Sequence, residues 1–198
     1  MAHYANLAYS ESRRDAESIR RALLNFQLAA GVLQHIGETL SDSLMQTAGV
    51  PDEYRCESIE ALQMLMLAQA QEGVWQKGVL DGLKDTTIAR LARSTADLYE
   101  ASLSACDKHA GASAFLRPWV GHIRYKQCHF AAVAQYRKSC DDLAQKRYGD
   151  ELGRLEVAMA SVNTAQRVPS RNLPLQSITS DLQSLHSIIQ TNQKRAEK

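Results

Sequence analysis

Side-chain type and spacing bear on chemistry at three kinds of place in this 198-residue chain: histidine–cysteine groupings, neighbouring carboxylates, and a tryptophan flanked by glycines. Cys106 and His109 lie three apart; His122, Cys128 and His129 follow, with His35 far upstream. Residues three apart share a helix face, which suits two ligands of one metal ion. Structural zinc needs four converging ligands, and no second pair at ligand spacing joins the first. These positions therefore read as ordinary surface and helix-boundary residues, with no metal and no cofactor. Glu57 with Glu60, and Asp141 with Asp142, are pairs by proximity and read as solvated helix faces. There is no Gly-x-Ser-x-Gly elbow, no cysteine in a catalytic context and no glycine-rich phosphate loop. The chain reads as a non-enzyme.

The segment Gly73-Val-Trp-Gln-Lys-Gly78 points instead to recognition. Each glycine costs about 1 kcal/mol relative to alanine inside a helix. One reading of this pair is close helix packing. The other is a groove floor open to a partner, with Val74, Lys77 and, across a hairpin, Leu91 facing one side. Helix-in-groove recognition uses such a mix of apolar floor and charged edge.

The elements that position these residues are all helical. Only ten glycines and four prolines punctuate the chain, and its long segments keep a 3.6-residue period. No strand is expected. A first helix is expected over 13–40, preceded by a short piece at 6–10, with a stripe of Leu23, Phe26, Ala30 and Leu33. Ala29, Ala30 and Gly31 are small enough for a close neighbour. Residues 41–56 read as a loop. The central helix, 57–82, is apolar on most of its circumference, through Ile59, Leu62, Leu65, Met66, Ala68 and Ala70. Gln63, Gln69, Gln71 and Glu72 break the run well short of the roughly 18 residues a membrane span needs. A helix apolar nearly all round, but too short to span, belongs at the centre of a helical domain.

A tight turn at Asp81-Gly82 makes the central helix and the next, 84–107, an antiparallel hairpin. On that next helix Ile88, Leu91, Thr95, Leu98 and Ser102 mark one face. A break is expected over 111–118, with Pro118 in the first turn of a helix running to 145. Trp119, Ile123, Phe130, Ala131 and Ala134 are expected inside. A corner at 148–150 precedes a helix over 150–165 with Leu152, Leu155, Met159 and Val162. After a third break at 168–174, Leu175, Ile178, Leu182, Leu185 and Ile189 form a coiled-coil-like seam that needs a partner. No fixed repeat is present, and stacked antiparallel hairpins are the natural architecture.

The totals exclude several functions. Twenty-three basic and 22 acidic residues leave a net charge of +1, which gives no case for nucleic acid or anionic lipid. The four cysteines, Cys56, Cys106, Cys128 and Cys140, form no Cys-x-x-Cys pair, and no export signal opens the chain. They read as free thiols in a reducing compartment.

The central stretch also carries a resemblance. Met66-Leu-Ala-Gln-Ala-Gln-Glu72, Trp75-Gln-Lys77, Asp81-Gly-Leu-Lys-Asp85 and Ile88-Ala-Arg-Leu91 resemble the signature of the Bro domain family. That family includes Alix-like proteins and the fungal PalA-type pH-response regulators. Asn25-Phe-Gln-Leu-Ala-Ala-Gly-Val-Leu-Gln-His-Ile36, His129-Phe-Ala-Ala-Val-Ala-Gln-Tyr136 and Lys146-Arg-Tyr-Gly-Asp-Glu-Leu-Gly-Arg-Leu155 look like its flanking helices. The wording is most similar to the PalA branch.

The resemblance implies an all-α domain of stacked hairpins with a tetratricopeptide-like core and no enzyme activity. It implies binding of the C-terminal amphipathic helix of an ESCRT-III core subunit, in endosomal sorting and fungal ambient-pH signalling. It further implies a cytoplasmic location with peripheral recruitment to endosomes and no membrane insertion. The matching patch positions are Arg20, Val74, Lys77, Thr87 and Leu91. Val74 replaces a phenylalanine and Thr87 an isoleucine of Alix-like members, and both changes shrink the apolar floor. Residues 1–198 read as one partial domain, truncated at both ends, with no oligomeric state implied. The rival reading is a purely structural helical segment whose partner site lies elsewhere. Solvent exposure of Leu91 separates the two, since burial on all sides favours the rival.

Overall fold

Asp15 starts the first long helix. Its Oδ1 accepts the backbone N–H groups of Ser18 at 2.8 Å and Glu17 at 3.1 Å, satisfying donors that the first turn leaves unpaired. The residues just before it turn sharply, with Arg13 in the left-handed region at φ 51°. The first helical piece is therefore longer than expected, and the long helix begins later.

The computed structural model describes residues 1–44, 51, 54–108, 110–168 and 176–196. Its helices are α1 (Ala2–Ser10), α2 (Ala16–Leu44), α3 (Cys56–Leu80), α4 (Asp85–Asp107), α5 (Ala110–Ala144), α6 (Tyr148–Gln166) and α7 (Gln176–Ala196). There is no strand among the described residues. Each helix packs on the next along the chain except at the α3–α5 and α5–α7 contacts, which join alternate ones. Gly82, at φ +66°, makes the turn between α3 and α4, where Leu83 N–H donates to the Gly78 carbonyl at 3.1 Å.

Two expected breaks are not where the sequence places them. Helix α5 runs straight through 111–118, and Pro118 lies more than two turns inside it. An interior proline costs about 3 kcal/mol through its missing donor. Here burial of Leu116 and Ile123 on the same helix offsets that cost. The corner expected at 148–150 falls earlier: Lys146 takes φ 60°, Arg147 N–H returns to the Asp142 carbonyl at 2.8 Å, and Tyr148 already begins α6. The loop expected over 41–56 is shorter, since α2 continues to Leu44 and Cys56 already begins α3; the rest of it, like most of the break expected at 168–174, lies largely outside the described residues.

Helix α3 is buried along most of its length, through Ile59, Leu62, Leu65, Met66, Ala68 and Ala70. Of the α2 stripe, Phe26, Ala30 and Leu33 are buried and Leu23 is half-buried, whereas Gly31 faces open space. Ile123, Phe130 and Ala134 of α5 are inside, but Trp119 is 44% exposed, contrary to expectation. Leu155 and Val162 of α6 are fully buried. The described part of the α7 seam closes within the chain: Leu182, Leu185 and Ile189 are buried where α7 meets α6 and α5, while Leu175 and the Ile178 side chain lie outside the described residues.

A polar network lies inside this apolar frame. Lys126 of α5 donates to Glu72 Oε1 at 2.6 Å, and the Tyr99 hydroxyl of α4 donates to Glu72 Oε2 at 2.8 Å. Burial alone raises the Glu72 carboxyl, but the Lys126 charge and these two hydrogen bonds outweigh it and hold the carboxyl below its usual range. Burial, then the Glu72 charge, drives the Tyr99 phenol well above its usual range. Phe130 stacks on Tyr99 at 6.2 Å and meets Trp75 edge-on at 5.2 Å. Beside it, the His129 Nδ1 is sealed from solvent without a hydrogen-bond partner among the described residues, and burial followed by the Lys126 charge lowers that imidazole to about 4.

This arrangement makes stability depend on pH. Between about 6.5 and about 4 the unfolded chain binds a proton at His129 that the folded chain refuses, so acidification favours unfolding across that window. At roughly 1.4 kcal/mol per pH unit, the loss from this one group by pH 4 is about 3 kcal/mol. His122, lowered by burial, has the same sign, as does Glu72. Thermal melts should show a clear fall in Tm from pH 7 to pH 5 that is smaller in His129→Leu; an identical pH profile in the variant would remove His129 as the cause.

Candidate partner-binding face

The outer surface of the α2–α3–α4 layer is organised by two glycines. A Cβ on Gly73 would lie 3.7 Å from Ile19 Cγ2 and 3.9 Å from Leu23 Cβ, both on α2. A Cβ on Gly78 would lie 3.0 Å from Leu91 Cδ1, 3.2 Å from Leu83 Cδ1 and 3.4 Å from Ile88 Cδ1, on α4 and the turn before it. Both glycines are buried. They are points of close helix approach, so the reading of an open glycine floor is corrected. Gly73 backs onto α2 and Gly78 onto α4. Val74 and Lys77, which lie between them on the helix circumference, face the surface between the two neighbours.

The five candidate positions cluster around these contacts. Arg20 is exposed and follows Ile19, the residue set on Gly73. Val74 is half-buried, next in sequence to Gly73. Lys77 is exposed and paired with Asp81 one turn on, which keeps its ammonium at the edge. Thr87 is half-buried in the first turn of α4, where its backbone N–H donates to the Lys84 carbonyl at 2.9 Å. Leu91 lies one turn further, in contact distance of Gly78 yet half-exposed. Leu91 is therefore not enclosed on all sides. The apolar middle of the face is Val74, Thr87 and Leu91, with Arg20 and Lys77 at its margins.

Two leucines of this layer escape a reading of buried stripes. Leu24 is 55% and Leu28 42% exposed, one turn apart and continuing from Arg20 along the outer side of α2. Their signal is leucine at i+4 and i+8 from Arg20, outside the buried Phe26–Ala30–Leu33 stripe.

Elsewhere, a cleft of about 290 Å³ lies between α1, α3 and α5, lined by Tyr9, Leu65, Met66, Gln69, Trp119 and Ile123. The metal candidates do not converge: among the described residues no three His, Cys, Asp or Glu side chains are placed to hold an ion, and His109 lies outside them. Cys106 and Cys128 are buried free thiols raised by burial, and Cys56 and Cys140 are also free. Asp142 is no solvated face: its carboxylate is 1% exposed and pairs with Arg147 and, at 2.5 Å, with Arg154. No described helix is long and apolar enough to cross a membrane.

With this geometry in place, the chain can be set beside known proteins. A family model described as the BRO1-like domain matches residues 2–198. The pH-response regulator protein palA/RIM20 of Emericella nidulans is 39% identical over 195 residues, 98% of this chain and 22% of that protein. The chain thus spans about a fifth of that relative's length. Among solved structures, ALIX bound to the SIVmac239 PYKEVTEDL late domain superposes with a TM-score of 0.80 at 22% identity, over 96% of this chain and 27% of the other. The ALIX BRO1 CHMP4C complex superposes with a TM-score of 0.79 at 24% identity, over 96% of this chain and 52% of the other. These superpositions show a shared helical fold.

The two glycines should respond differently to substitution. At Gly73 an added methyl makes ordinary contacts, so Gly73→Ala should stabilise by up to about 1 kcal/mol through helix propensity. At Gly78 a larger side chain must displace Leu91, and Gly78→Leu should destabilise by about 2 kcal/mol. Urea midpoints of both variants measure this; equal shifts would mean that the close approach at Gly78 is not a packing constraint.

Proposed function

The chain belongs to the BRO1-like domain family, and from that premise we propose that it is a non-enzymatic adaptor whose α2–α3–α4 face binds the C-terminal amphipathic helix of an ESCRT-III core subunit. The observation that carries the reading is Leu91: an apolar side chain held half-exposed over Gly78, on the α4 side of a face that also carries half-buried Val74 and Thr87 and exposed Arg20 and Lys77. An apolar strip with basic margins suits an amphipathic helix laid across it. The ALIX BRO1 domain, solved in complex with CHMP4C, shares this fold, which supports an ESCRT-III subunit as partner. The palA/RIM20 relative supports a place in pH-response signalling, and the structure basis for endosomal targeting by the Bro1 domain, another fold neighbour with a TM-score of 0.78, supports peripheral recruitment to endosomes.

The floor is modest. Val74 and Thr87 offer less apolar area than larger side chains would, at about 25 cal/mol per Å² buried. Affinity then rests on Leu91 as the central contact, in keeping with binding energy concentrated in few residues.

Fluorescence anisotropy of a labelled ESCRT-III C-terminal helix peptide should show saturable binding to this chain. Leu91→Asp should abolish it while circular dichroism stays helical, and Val74→Phe should tighten it about fivefold, in proportion to the area added. Retained affinity in a folded Leu91→Asp variant would reject the site. A well-folded chain that binds no peptide would favour the rival reading, a structural segment with the partner site outside it.

A further inference from the structure

We infer that the groove between α4, α5 and α6 is a second docking site, built for an acidic peptide segment. It has a volume of about 570 Å³ and is lined by Thr86, Ala89, Arg90 and Arg93 of α4, Ala134, Gln135 and Lys138 of α5, and Arg154 of α6. Four of these side chains are cations and none is a carboxylate. In a chain of net charge +1 this is a local concentration of one sign.

The counter-charges leave the groove positive. Arg93 pairs with Asp97 at 2.8 Å, Lys138 with Asp141 at 2.5 Å, and Arg154 with Asp142 at 2.5 Å and with the Gln135 amide oxygen at 3.1 Å. Asp142 is shared with Arg147 as well. Arg90 is exposed and has no carboxylate or hydrogen-bond partner among the described residues. Its five donors are therefore available to a ligand, in a fork that matches a carboxylate.

Shape and extent favour a peptide. The floor is Ala89 and Ala134, small and apolar, between cationic walls. From Thr86 to Arg93 the wall runs about 10 Å along the α4 axis, enough for about three residues of extended chain. A flat lipid surface does not enter a concave groove, and a nucleic acid needs a far longer basic track than a nearly neutral chain offers. Carboxylates on either side of a small apolar residue satisfy both floor and walls.

This site is distinct from the α2–α3–α4 face. Thr86, Arg90 and Arg93 lie about a third of a turn round α4 from Thr87 and Leu91, so the two flanks of one helix serve two grooves.

The test uses a fluorescein-labelled peptide of alternating glutamate and alanine, with a glutamine–alanine peptide and phosphatidylserine vesicles as comparisons. The chain should bind the glutamate peptide, more weakly as salt rises, and should ignore the glutamine peptide. Arg90→Glu, at an exposed and unpaired position, should keep the fold and weaken binding about tenfold or more, since like charges then face each other. Equal affinity for the glutamine peptide, an Arg90→Glu affinity within twofold of the parent, or sedimentation with the vesicles without peptide binding would each overturn the assignment.

Discussion

Glu72 sits on the helix that the other helices pack around, and a carboxylate there persists as an ion only if it is paired. Lys126 and Tyr99 supply that pairing from two different helices, so one carboxylate fixes the positions of α3, α4 and α5 relative to one another. The Phe130, Trp75 and Tyr99 rings pack beside it. Breaking a buried pair is costlier than never having it, because the remaining charge is left unsolvated. The network therefore constrains geometry more than it adds stability. It also seals His129 in a place where only the neutral imidazole is comfortable.

The same helix sets the surface on the outside. Just past Glu72, Gly73 and, five residues further on, Gly78 let α2 and α4 close on α3. That closeness leaves Val74, Thr87 and Leu91 half-covered, neither lost in the core nor fully solvated. A recognition face needs this intermediate state: side chains already ordered by packing lose little entropy on binding. The glycines thus act on the partner-binding face indirectly, through the spacing of the helices that carry it.

Charge is distributed with a similar logic. Asp142 is buried beneath a group of arginines and a lysine, and with Asp141 and Asp97 it partly neutralises them. Partial neutralisation keeps a cluster of cations tolerable in the folded state while Arg90 stays available at the groove.

The sequence alone determined the all-helical class, the hairpin at Asp81-Gly82, the central place of α3 and the inward stripes of α2, α6 and α7. Each follows from local periodicity or from a glycine where the backbone must turn, and these signals sit within a few residues of one another. The family signature was likewise legible in the sequence. Tertiary structure decided what local pattern does not contain. Pro118 reads as a break, yet packing of Leu116 and Ile123 carries α5 through it. Trp119 reads as core, yet it lies at a cleft mouth. Asp142 reads as solvated until the turn at Lys146 brings Arg147 and Arg154 over it. The glycines read either as floor or as contact, and only the approach of Leu91 and Ile19 from separate helices resolves them as contacts. Exposure is a property of which helices become neighbours, and that depends on packing across the whole chain.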